Sequence, residues 1–448
     1  MEKERKSQSR RELLTETPIP NLIVRLSIPT IISMLVTALY NTADTYFVGK
    51  ISTEATAAVG LVFSVMAIIQ ALGFFCGHGS GNYLSRMLGA GKRKEADEMA
   101  STGFAIALIL GVVVAILGNI FLTPLAHWLG ATATTMEDTK NYMRIILIGA
   151  PFMIGQFVIN NQLRFQGSAT YAMIGLMCGA VINVGLDPLL ILGFHMGVSG
   201  AAIATVCGQV VSFFVLFLGS MRGENIHLHI RNVHINTHYL LEVTNGGAPS
   251  LFRQGLAAVA TLLLNNFAGK YGGDAAIAGM SIVTRVMMML ASALIGFGQG
   301  YQPVCSFNYG AGLKKRVREG YFFCVKWGTL FLVFVGVICF ILAPDIVRMF
   351  RNDEAVVAVG TLALRCQTAV LPFMAFIVIT NMMLQSMGRG VKASITASAR
   401  SGICFIPLIL ILSTIFGLTG VQITQTCADV LSLAITIPFA VSELRNLI

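Results

Sequence analysis

Three carboxylates stand where a carboxylate is costly. Of the chain's 21 acidic residues, only Asp44, Asp187 and Asp429 fall inside long apolar segments. An ionised side chain at membrane depth costs about 3 kcal/mol even on lenient insertion scales, so each needs a partner, a cavity or an ion. Asn41 and Tyr40 precede Asp44 by three and four residues, so the three share one helix face. Asp187 has Asn183 one turn before it and Pro188 after it, and the next apolar segment carries Thr205 and Gln209 one turn apart. If these segments meet, two carboxylates, a carboxamide and a hydroxyl converge. Two nearby carboxylates do not both ionise readily and titrate as a unit, so such a set suits protons, or a small hard cation such as Na⁺. The structural alternative is an Asp187 that pins a helix junction through Asn or backbone donors. Asp429 is open to pairing with Arg285 or Arg400.

Positioning such a cluster takes helices that cross a bilayer. The chain is 55% hydrophobic and 12% charged, against roughly 25% charged in ordinary soluble domains, and reads as an all-α membrane protein. Apolar stretches near or above the roughly 20 residues that span a bilayer fall at 22–49, 56–77, 99–123, 141–161, 170–194, 197–220, 244–269, 275–304, 321–343, 356–384, 394–416 and 418–441. Asp44 then lies in span 1, Asp187 in span 5, Thr205 and Gln209 in span 6, and Asp429 in span 12. These twelve transmembrane helices form two copies of six. Tyr46-Phe47-Val48-Gly49-Lys50 returns as Asn266-Phe267-Ala268-Gly269-Lys270, Gly89-Ala90-Gly91 returns as Gly310-Ala311-Gly312, and Pro29 maps onto Pro249. A constant offset of about 220 residues marks a duplication. An even number of spans precedes the second copy, so a pseudo-twofold axis along the membrane normal relates two six-helix bundles. The acids are not duplicated: Asp44 aligns with Leu264 or Asn265, and Asp187 falls near Ile406-Pro407.

Loop charge orients the bundles. Lys3, Arg5, Lys6, Arg10 and Arg11 precede span 1, Arg25 lies in its first turn, Lys92-Arg93-Lys94 follows span 2, and Lys314-Lys315-Arg316 follows span 8. The positive-inside rule puts these loops and both termini in the cytoplasm. The first span is as long as a full crossing and follows a charged tail, so it is expected to stay rather than be cleaved as a signal peptide. The expected division is a cytoplasmic tail over 1–21, a first bundle over 22–220, a cytoplasmic linker over 221–240 and a second bundle over 241–448, in a multi-pass plasma-membrane protein.

Other chemistries fail on their residues. The net charge of +10 follows from the loop asymmetry, and no basic face interleaved with aromatics accompanies it, which argues against nucleic acid. The nine cysteines lie in apolar segments without a Cys-x-x-Cys pair and read as small core residues. Gly89-Ala90-Gly91-Lys92 has Arg86 where a phosphate loop needs its first glycine and Arg93 where it needs Ser or Thr. Gly77-His78-Gly79-Ser80-Gly81 lacks the spacing of a nucleophile elbow and reads as small residues at a close helix contact. His227, His229, His234 and His238 of the linker have no completing Cys or carboxylate set and read as a solvated amphipathic segment. Neither an enzyme nor a cofactor is expected.

The two halves, the Pro29…Asn41-x-x-Asp44…Val48-Gly49 and Asn183-x-x-x-Asp187-Pro188 patterns, and the Gly-Ala-Gly turns after spans 2 and 8 resemble the MATE family of multidrug and toxic compound extrusion transporters. The likeness covers roughly residues 15–445. The acid pair is similar to that of the DinF-like branch, and Arg253-Gln254-Gly255 after Pro249 is similar to MepA-like members. The resemblance implies an antiporter that exports organic, often cationic, compounds in exchange for H⁺ or Na⁺. It implies a cation-coupling cluster of Asp44, Asn183, Asp187 and Thr205, with Tyr40, Asn41 and Gln209 in support and no metal beyond Na⁺ at that cluster. Gly255-Leu256-Ala257-Ala258 lacks the acid that the NorM-like branch carries in span 7.

Pro29 removes one helix hydrogen bond and is the expected hinge of span 1. The intramembrane amides Gln156, Asn160, Asn161, Gln299 and Asn381 are expected to line the substrate cavity, together with Asp429. The expected partners are small organic substrates and the lipid bilayer, and the expected functional unit is a monomer. The alternative is a lipid-linked precursor flippase of the same superfamily. Such flippases usually carry two additional spans and a strongly cationic central cavity, and neither is evident in the sequence.

Overall fold

In hydrocarbon a backbone has no water to bond, so each apolar run must close its hydrogen bonds within its own helix. The chain does this throughout. The structure, a computed structural model, describes residues 11–223 and 225–447, with the side chains of 40–45 and 53 outside the description. Among the described residues there is no strand. The first half comprises α1 Ile19–Val48, α2 Thr53–Gly89, α3 Arg93–Ile120, α4 Leu122–Trp128, α5 Met136–Phe165, α6 Ala169–Pro188 and α7 Gly197–Ser220. The second comprises α8 Thr237–Gly310, α9 Lys314–Ile341, α10 Ala343–Phe350, α11 Glu354–Ser386, α12 Gly390–Ser398, α13 Phe405–Phe416 and α14 Leu418–Arg445. A π-turn, Leu189–Gly193, extends α6, and another, Ala399–Ile403, joins α12 to α13.

Among the described residues eleven stretches are long and apolar enough to cross a membrane, and one of them is the 74-residue α8. At 1.5 Å per residue a straight α8 would reach about 110 Å, more than three bilayer cores. Gly273, at φ 65° and ψ −158°, breaks it into two legs. The crossings therefore number twelve, in a multi-pass membrane protein of two helical bundles.

The duplication reaches finer detail than the apolar pattern. The short helices α4 and α10, which the hydropathy did not foretell, follow the equivalent spans 3 and 9. Left-handed glycines close the same turns in each half: Gly91 and Gly312, Gly167 and Gly388, Gly197 and Gly417. Asn160 Nδ2 donates to Ala172 O at 2.9 Å, and its counterpart Asn381 Nδ2 donates to Ala393 O at 2.6 Å.

Large apolar side chains such as Ile109, Ile116 and Ile120 on α3 and Phe334, Val337 and Ile341 on α9 point outward. On a membrane protein this is the lipid-facing belt. The linker keeps most of its residues exposed, His229, His234 and His238 among them, and turns a buried side to the bundle. Ile226 and Asn225 are buried, Ile226 N donates to Gln166 Oε1 at 2.6 Å, and His234 N donates to Thr102 Oγ1 at 2.9 Å. The strap lies on the ends of α3 and α5 because its own backbone donors find partners there.

The bundles meet along α1 and α2 on one side and the two legs of α8 on the other. At the far ends of α2 and α8 the approach is backbone to backbone. A Cβ on Gly89 would stand 2.0 Å from Phe307 O, and one on Gly310 would stand 2.0 Å from Arg86 O. These two glycines of the repeated Gly-Ala-Gly turns are thus the crossing point of the halves.

Candidate functional site

The first-half cluster is assembled by two glycines. A Cβ on Gly179 of α6 would lie 2.6 Å from Gly208 O, and one on Gly208 of α7 would lie 2.6 Å from Gly179 O. Without side chains at these positions the helices close to near backbone contact, which is how small residues serve helix pairs in membranes. One turn beyond Gly179 stands Asn183, and its Nδ2 donates to Thr205 Oγ1 of α7 at 3.4 Å. Gln209, one turn after Thr205, accepts from Gln156 Nε2 of α5. Asn183, Thr205, Gln209 and Gln156, with Thr37 of α1, line a cleft between α1, α5, α6 and α7.

Asp187 is wholly buried one turn past Asn183, at the end of α6 where Pro188 leads into the π-turn. Tyr40, Asn41 and Asp44 belong to α1, and their side chains lie outside the described residues. The structure thus brings Asn183, Thr205, Gln209 and Gln156 into one cleft, with Asp187 on the same helix as Asn183. Chemically this is an oxygen-rich pocket, and neutral amide and hydroxyl oxygens beside a buried carboxylate can hold a proton or coordinate a hard cation.

Pro29 is flanked by two bonds from α1 to the second leg of α8: Ser27 Oγ donates to Phe297 O at 3.1 Å, and Thr30 Oγ1 donates to Gly296 O at 2.7 Å. The same helix also packs on α6 of its own bundle.

The remaining amides are bound into helix contacts. Asn160 and Asn381 make the equivalent bonds already described, and Asn381 Nδ2 also reaches Thr396 Oγ1 at 2.9 Å. Asn161 Oδ1 and Gln299 Oε1 both accept from the buried Arg164. Asp429 pairs with Arg400 rather than Arg285: Arg400 Nε donates to Oδ1 at 2.8 Å, and Gln425 Nε2 adds a second bond at 2.8 Å.

Polar residues that the sequence did not connect to one another meet near the boundary of the bundles. His78 Nδ1 is 2.6 Å from Ser250 Oγ, Ser306 Oγ donates to Asn82 Oδ1 at 3.2 Å, Gln385 Nε2 donates to Ser250 Oγ at 2.8 Å, and Arg86 pairs with Glu242 at 2.9 Å. Arg253, a basic residue within span 7, carried the same anomaly as the aspartates, and Arg164 lies three residues past the end of span 4.

The MatE family profile matches residues 29–189 and 249–411, one segment in each half. A multidrug export protein MepA of Staphylococcus haemolyticus is 28% identical over 435 residues, covering 96% of this chain and 95% of that protein. The MepA of Staphylococcus saprophyticus is 30% identical over 407 residues, covering 89% of this chain and 88% of its own. Among solved structures, an outward-facing multidrug resistance MATE family transporter of the MOP superfamily aligns with TM-score 0.91 at 28% identity, over 98% of both chains.

Proposed function

Because the chain belongs to the MatE family of membrane transporters, which are not enzymes, we propose that it is a secondary active multidrug efflux antiporter. It exports small organic, often cationic, compounds in exchange for H⁺ or Na⁺. The observation that carries the reading is the cleft lined by Asn183, Thr205 and Gln209 with the buried Asp187 one turn away, confined to the first bundle. In this reading Asp44, Asn183, Asp187 and Thr205 take up the coupling cation, and Tyr40, Asn41 and Gln209 support it. Both termini and the 221–240 linker are cytoplasmic, so the Gly89–Gly310 crossing closes the cytoplasmic side.

Coupling requires the cation and the substrate to favour different arrangements of the bundles, since equal affinity for both shifts nothing. Neutralising the acid pair lets α1 rearrange about Pro29, between its bonds to α8 and its packing on α6, and substrate leaves outward. The bundles over 22–220 and 241–448 form the two walls of the substrate path, and one chain is the working unit. Reconstituted efflux of a cationic dye, driven separately by proton and by sodium gradients, tests this. Wild type responds to one gradient, and the Asp44→Asn/Asp187→Asn double variant loses at least ten-fold of the driven rate. Undiminished transport by the double variant would sink the proposal.

A further inference from the structure

Among the described residues, the interface between the bundles carries two arginines without a carboxylate partner. Arg164 of α5 is 3% exposed, and its guanidinium reaches Gln299, Asn161 and His78 Nε2, the last at 3.3 Å. Its Nε is buried without a partner. Arg253 of α8 donates to Asn381 Oδ1 at 3.1 Å and lies 3.5 Å from Ser250 Oγ. Among the described residues neither arginine forms an ion pair.

His78 and Ser250 link the two. An arginine only donates, so His78 Nε2 must accept from Arg164, which puts the ring proton on Nδ1 and directs it at Ser250 Oγ, 2.6 Å away. Ser250 Oγ thus faces three donors: His78 Nδ1, Gln385 Nε2 at 2.8 Å and Arg253 Nη2 at 3.5 Å. A hydroxyl oxygen has two lone pairs. At Ser250 the donors outnumber the lone pairs, and the network holds two cations in a region where an uncompensated charge is strongly disfavoured. Arg253 is half-buried.

We propose that Arg164 and Arg253, with His78 and Ser250 between them, form an anion-binding site that takes the carboxylate or phosphate group of a transported compound. The site rests on the transporter reading above and widens its substrates to compounds bearing an anionic group. Planar guanidinium forks match such oxyanions in a bidentate manner. His78 and Arg164 come from the first half and Ser250 and Arg253 from the second, so a bound anion ties the bundles together.

Equilibrium binding of radiolabelled benzoate to the purified full chain in nanodiscs, without any ion gradient, tests the site, with inorganic phosphate in a parallel arm. Saturable binding of benzoate assigns carboxylates, and of phosphate alone assigns phosphoryl groups. Arg253→Gln weakens that binding at least ten-fold, and Arg253→Lys, which keeps the charge but loses the planar fork, weakens it less than Arg253→Gln does. Gly185→Ala, where a Cβ meets nothing within 4 Å, leaves it unchanged; because binding is read without a gradient, loss of gradient-driven dye efflux alone bears on the antiport reading. Absence of saturable binding in both arms, or wild-type affinity in an Arg253→Gln protein that elutes as wild type on size exclusion, overturns the proposal.

Discussion

At the scale of residues, the same cost governs three different outcomes. Asp429, Asp187 and Arg164 all sit buried in apolar helices, and each answers the cost of burial differently. Asp429 is neutralised by Arg400 on the π-turn and accepts a further hydrogen bond from Gln425 one turn before it. Removing one partner of a buried pair strands the other and typically costs 3–5 kcal/mol, whereas replacing both by apolar groups is far milder. Arg400→Leu is therefore expected to lower the midpoint of thermal unfolding in detergent clearly more than Arg400→Leu/Asp429→Leu does. Equal midpoints would show that the pair is not a closed unit. That these residues matter was readable from their types alone. Their partners were not, because Arg285 and Arg400 stand equally well in the sequence, and only packing brings Arg400 to within 2.8 Å of Asp429.

At the scale of elements, glycines set which faces touch. α6 and α7 close on each other at Gly179 and Gly208, and that contact holds Asn183 against Thr205. A methyl at Gly179 would fall 2.6 Å from a carbonyl oxygen that belongs to backbone, so the helices must separate. Such overpacking costs roughly 1–3 kcal/mol. Gly179→Ala should cut gradient-driven efflux at least ten-fold. Gly185→Ala, where a Cβ meets nothing within 4 Å, should leave it unchanged. A pair of variants that behaved alike in the efflux assay would remove the contact from the mechanism. Hydropathy located these helices well, since a run of about 20 apolar residues has few alternatives in lipid. It missed α4 and α10, which are too short to stand out, and it left unspecified which faces meet.

At the scale of the whole molecule, the duplication produces two walls with a shared crossing and unequal chemistry. The bundles are bolted together near Gly89 and Gly310 by bonds such as Ser306 to Asn82 and His78 to Ser250. If these contacts must open during each cycle, holding them shut stops turnover. In a variant whose nine native cysteines are replaced, Asn82→Cys with Ser306→Cys should form a disulfide on oxidation that arrests efflux, and reduction should restore it. Full transport by the oxidised, cross-linked protein would exclude opening at this point. Sequence by itself determined the membrane class, the two-fold repeat and the confinement of Asp44 and Asp187 to the first half, because apolar length, constant offset and rare charge are local properties of the chain. Tertiary structure alone decided that Asn183, Thr205 and Gln209 share a cleft, that Asp429 belongs to Arg400, and that Arg164 and Arg253 face each other across the interface through His78 and Ser250. Those pairings depend on how helices distant in sequence rotate and pack, which the periodicity of a single helix does not encode.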